Sequence, residues 1–114
     1  MDRRPPRMER TMMYKTITFE LLELHPELAD RLKRAGLLHL ALEACSRDLR
    51  THHLLLTDRF YKARPTDGPE DCLRQAFEIA LRHLEERIRQ AADTQLAAEP
   101  EELLERLRLA TPIE

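Results

Sequence analysis

Two runs of apolar residues at alternating spacings of three and four constrain this chain more than any other feature. Between Leu37 and Lys62, the positions Leu38, Leu42, Cys45, Leu49, His52, Leu56 and Phe60 recur at intervals of 4, 3, 4, 3, 4 and 4. Between Pro69 and Ala98, Leu73, Phe77, Ala80, Leu84, Ile88 and Ala91 repeat the pattern. Such spacing lines up a seam on one side of an α-helix, whereas a half-buried strand alternates every second residue. Separating the two runs, Ala63-Arg64-Pro65-Thr66-Asp67-Gly68-Pro69 is the clearest break in the chain. Asp67 or Gly68 is suited to cap the second helix, with Pro69, Glu70 and Asp71 in its opening turn. The organising element is therefore a helical hairpin, roughly 37–62 against 69–98. Folded about residues 65–66, it sets His52 opposite Ile79–Ala80 and Leu49 opposite Leu81–Leu84.

Composition excludes the alternatives. Leu, Arg, Glu, Ala and Lys supply 66 of the 114 residues, while Val, Asn and Trp are absent and Gly occurs twice. A β-sandwich lacks its β-branched strands here, and a dinucleotide-binding sheet lacks its glycine-rich loop. The fold class is all-α: a long antiparallel helical hairpin with short flanking helices.

The flanks are read as follows. Residues 1–12 are polar and aperiodic, contain Pro5-Pro6, and form a disordered basic tail; residues 13–114 form a single helical domain. Residues 13–19 alternate like a strand but have no second strand to pair with, so they serve as an extended lead-in or first helical turn. A short helix near 18–24 and another at 26–35 follow, the second ended by Gly36 in the left-handed conformation. A last short helix starts at Glu99-Pro100 with Leu103, Leu104 and Leu107 on one face, either capping the chain's own bundle or docking in a partner's groove. With only 3 Phe and 2 Tyr, the core is aliphatic and thin, and leucine seams of this length need covering. The expectation is a homodimer that completes a four-helix bundle, with Leu38, Leu42, Cys45, Leu49, His52, Leu56, Phe60, Leu73, Phe77, Leu84 and Ile88 as the candidate interface.

No catalytic, cofactor-binding or metal-ligating set emerges. A di-iron bundle needs Glu-x-x-His on two helices, and His83-Leu84-Glu85-Glu86 reverses that order. His52 and His53 point about 100° apart on a helix, so they cannot share an ion centred on the seam. His39, His53 and His83 read as solvated helix positions. His52 falls on the seam, either as a buried neutral imidazole bonded to Asp48 one turn back or as a pH-sensitive, register-setting polar position. Cys45 serves there as a small hydrophobe, Ser46 lacks a glycine-framed elbow, and Cys45 and Cys72 are too far apart along the hairpin for a disulfide.

These readings favour a non-enzymatic, cytoplasmic interaction protein, an adaptor or regulator acting through self-association and a protein partner not identifiable from sequence. No uncharged run is long enough to cross a membrane, and the basic start is not followed by the apolar stretch of a secretory signal. The alternative is a nucleic-acid-binding regulator whose Arg3, Arg4, Arg7 and Arg10 track phosphates. A net charge of −2 keeps that reading second. A helix-turn-helix over 27–37 is a weak match, because leucines and acidic residues fill the helix that would meet the bases.

Overall fold

The computed structural model describes residues 6–108, with side chains from Met13 onward except Asp67. Among these residues there are five α-helices and no strand: α1 (Pro6–Glu23), α2 (Pro26–Arg34), α3 (Leu38–Ala63), α4 (Pro69–Asp93) and α5 (Pro100–Leu107). A single 3-10 turn, Pro65–Asp67, joins α3 to α4. The two long helices pack on each other as a hairpin. His53 meets Phe77 at 5.1 Å between ring centroids and His52 meets His83 at 5.0 Å, which brackets the register expected from a fold at residues 65–66.

Proline and glycine set the breaks. Pro26, Pro69 and Pro100 each open a helix, where the missing amide costs nothing. At the end of α2, Gly36 has φ +75°, and the amides of Gly36 and Leu37 donate back to the carbonyls of Lys33 (3.0 Å) and Leu32 (2.8 Å). That paired closure needs a left-handed residue, which glycine adopts without a Cβ clash. Gly68, at φ +89°, likewise turns the chain into α4. Glu99 and Glu102 form a reciprocal capping box at the start of α5.

Two boundaries differ from the sequence-based expectation. The strand-like stretch 13–19 is helical throughout and belongs to an 18-residue α1, not to a lead-in before a short helix at 18–24. Tyr14, Thr18 and Leu22 stand four residues apart and are all buried, so the helix carries a complete inward stripe. Burial along that stripe outweighs the few tenths of a kcal/mol that each β-branched residue among Thr16, Ile17 and Thr18 costs a helix. Of the tail expected over 1–12, residues 1–5 lie outside the described residues, and the backbone of 6–12 belongs to α1. The second boundary is the end of α4, which stops at Asp93 instead of continuing to about Ala98. The Thr94 hydroxyl donates to the carbonyls of Gln90 (3.1 Å) and Ala91 (3.4 Å). Arg31 of α2 then reaches across to the carbonyls of Gln95 and Ala98, the latter at 2.7 Å. Those carbonyls are drawn out of helical register by a charged donor from another element.

The molecule is a slab of 48 × 38 × 20 Å, and its thin dimension matches two layers of helix. One core runs through it. Leu22 of α1, Leu28 and Leu32 of α2, and Leu103 and Leu107 of α5 close on Cys45, Leu49, Leu84 and Ile88 of the hairpin.

Candidate functional site

The seam forms the inside of the single chain. Cys45, Leu49, His52, Leu56, Leu84 and Ile88 are buried, while Leu38, Leu42, Phe60, Leu73 and Phe77 are half-buried. Helices α1, α2 and α5 supply the covering for much of this surface. Large exposed hydrophobic side chains lie elsewhere: Met13 and Phe19 on α1, Leu24 just after it, Leu40, Leu54 and Tyr61 on α3, and Leu96 beyond α4.

The polar centre of the hairpin is a layer of three histidines. His53 is not solvated, contrary to its reading from the sequence: it is 5% exposed and wedged between α1 and α4. Its Nε2 lies 2.9 Å from the Leu73 carbonyl and its Nδ1 lies 2.9 Å from the Tyr14 hydroxyl. A carbonyl can only accept, so the ring proton sits on Nε2, and the tyrosine donates to Nδ1. The Tyr14 ring also packs edge-on against the His53 ring at 5.9 Å. One imidazole thus ties α1 to both arms of the hairpin. A seam drawn through His52 puts its neighbour about 100° away and outside the hairpin contact; α1, arriving on that side, buries it.

His52 is 2% exposed, and its Nε2 has no hydrogen-bond partner among the described residues. Burial, followed by the nearby His83, Arg87 and Arg59, lowers its pKa from 6.5 to about 4. At neutral pH it is an uncharged ring with the exposed His83 ring edge-to-face against it at 84°. His39 is exposed and lies 3.9 Å from Glu43.

Below this layer the Leu107 carbonyl, at the last residue of α5, accepts from Arg87 Nε at 3.0 Å and from the Cys45 thiol at 3.8 Å. Burial pushes the Cys45 thiol up to about 12, so it stays protonated at neutral pH and packs as a small apolar group. Burial also lowers the pKa of Arg87. Cys45 and Cys72 are both free and buried, and the Ser46 hydroxyl donates to the Leu42 carbonyl at 2.7 Å. Among the described residues, no three His, Cys, Asp or Glu side chains are grouped closely enough to hold a metal ion.

Of the arginines proposed to touch nucleic acid, Arg3 and Arg4 lie outside the described residues. Arg7 and Arg10 fall within α1, with side chains outside those described. A basic feature passed over in the sequence lies on α3. Arg47 and Arg50, one turn apart, border a cleft against α1 together with Lys15. The i,i+3 arginine pair was visible, but only the path of α1 shows that they face a second element. No protein family, curated protein or solved structure matches this chain. No helix among the described residues is long and apolar enough to cross a membrane.

Proposed function

We propose that this chain is a small non-enzymatic interaction protein of the cytoplasm, an adaptor or regulator that forms a homodimer and binds another protein through the outer face of α1 and α3. The supporting observation is how the exposed apolar side chains are distributed. Among the described residues, five of the seven large ones, Met13, Phe19, Leu40, Leu54 and Tyr61, lie on α1 or α3, whereas Leu24 borders Glu85 and Arg89 of α4. On α3, Leu40, Leu54 and Tyr61 are separated by multiples of seven residues and share one stripe of the helix, with the exposed Arg47 between the first two. A shallow cavity of about 320 Å3 between α1 and α3 has Phe19 on one wall and Leu42 on the other.

The outside of α4 has the opposite character. Asp71 pairs with Arg74 at 3.0 Å, Arg89 bridges Glu86 and Asp93, and no large hydrophobic side chain of that helix is exposed. Scattered apolar residues on a surface carry little meaning, but the repeat of Leu40, Leu54 and Tyr61 along one helix supports a contact face there. The test is affinity purification from the native host at moderate salt, with and without nuclease, comparing the unaltered chain with a Leu40→Glu, Tyr61→Glu double variant. Both positions are exposed, so the variant keeps its helix content. A stoichiometric protein partner that survives nuclease and is lost in the variant is the expected result. A partner retained by the variant would contradict the assignment of this face.

A further inference from the structure

Beside that apolar stripe, α1 and α3 enclose a cleft of about 220 Å3 lined by Tyr14, Lys15, Glu43, Ser46, Arg47 and Arg50. Three of these six side chains are cationic and one is anionic. Glu43 is already committed: Lys15 Nζ sits 2.9 Å from its carboxylate, and that contact holds the carboxyl below its usual range. Arg47 and Arg50 have no hydrogen bond or ion pair among the described residues.

Most other arginines among the described residues have such a partner, Arg82 and Arg106 excepted. Arg31 and Arg87 are satisfied by backbone carbonyls, and Arg34, Arg74, Arg89 and Arg108 pair with carboxylates on or beside their own helices. The floor of the cleft is fixed. Tyr14 is 2% exposed with its hydroxyl given to His53, and the Ser46 proton is given to Leu42. Two guanidinium forks one helical turn apart, with Arg50 half-buried along its stem, therefore border a rigid polar pocket that carries a formal charge of +2.

We infer that this cleft binds a phosphate-bearing anion, with Arg47 and Arg50 as the paired donors and Lys15 at its rim. Arginine forks match the planar oxygen edges of a phosphate and give charge-assisted hydrogen bonds of the stronger class. The same donors would hold a small phosphorylated molecule or one phosphate of a polynucleotide backbone, and the two probes below distinguish these sources. No exposed aromatic side chain lines the cleft, so contact is with backbone and independent of base sequence. With a whole-chain charge of −2, attraction is local and falls steeply with salt.

The experiment is an NMR titration of the full chain with pyrophosphate and, separately, with a short oligothymidylate. Shifts are followed at Lys15, Ser46, Arg47 and Arg50, and repeated for Arg47→Gln, Arg50→Gln. Neither arginine has a hydrogen bond or ion pair among the described residues; the double variant loses the attraction of Arg47 for the Glu43 carboxylate, and circular dichroism verifies its fold. A second double variant, Arg82→Gln, Arg106→Gln, removes the same charge from exposed positions outside the cleft. Oligothymidylate binding tighter than pyrophosphate, weakened about tenfold or more in the cleft variant, with the salt slope reduced by about two, supports the site and the polynucleotide source. Equal binding of both probes at the same signals supports the site with a small phosphorylated ligand. Silence at these signals with both probes, or equal weakening by the Arg82, Arg106 control, overturns the inference. Arg47 shares the α3 stripe with Leu40 and Leu54, so the titration is repeated in the Leu40→Glu, Tyr61→Glu variant, where the same shifts separate this site from self-association.

Discussion

Two buried polar atoms, the Thr18 hydroxyl and His52 Nε2, have no hydrogen-bond partner among the described residues. An unpartnered buried donor or acceptor forfeits the hydration it had in the unfolded chain, a loss of about 1–3 kcal/mol. Thr18 is fully buried on the inward stripe of α1, so Thr18→Val keeps the shape and removes the orphan. Its melting temperature should rise, by an amount equivalent to about 1 kcal/mol. His52 adds a pH dependence. Its folded pKa of about 4 lies below the ordinary 6.5. The unfolded chain therefore takes up a proton as pH falls through 6.5, and the folded chain does not until about 4. Stability is held above that window and lost on acidification across it, on the order of 3 kcal/mol from this ring. Denaturant melts between pH 7 and pH 4 should show this loss, and His52→Leu should remove that share of it while raising stability at neutral pH. The burial of His52 was legible from its place on the seam. The packing of His83 edge-to-face against it, one turn or more along the other helix, was not. The burial of His53 is not legible in the sequence because its partner Tyr14 is 39 residues away, in a stretch whose strand-like alternation hides the inward stripe of α1.

Helix starts were readable wherever proline and glycine punctuate the chain. The openings of α2, α4 and α5 and the left-handed closure at Gly36 fall where local chemistry puts them. The end of α4 was not readable, since residues 95–98 are good helix formers and their departure depends on Arg31, more than sixty residues earlier. Arg31→Met should keep the side-chain stem and abandon both carbonyls. We expect a loss of about 2 kcal/mol in a thermal or denaturant melt, together with faster proteolysis at the α4–α5 link. The role of α5 is also decided at this scale. Leu103 and Leu107 are fully buried against the hairpin, so the helix caps its own chain. Leu103→Ala should cost about 2–5 kcal/mol, read as a lowered denaturation midpoint. An unchanged midpoint would show that α5 contributes nothing to the core.

For the molecule as a whole, the spacing of apolar residues identified the hairpin and its inner seam, but not what covers the seam. Periodicity marks which side of a helix is buried and is silent on whether the same chain or another buries it. Here α1, α2 and α5 do much of that work, and the apolar surface left outside includes the α3 stripe of Leu40, Leu54 and Tyr61. Such exposed residues sit among polar ones in every helix, which hides them from a pattern search. They stand out once the charged exterior of α4 is set against them. Self-association through this face is the central claim, and molar mass in solution tests it most directly. Sedimentation equilibrium of the full chain across a range of concentrations should give twice the chain mass of 13.5 kDa at the upper end, reverting to one chain mass in the Leu40→Glu, Tyr61→Glu variant. A single-chain mass at every concentration would contradict it.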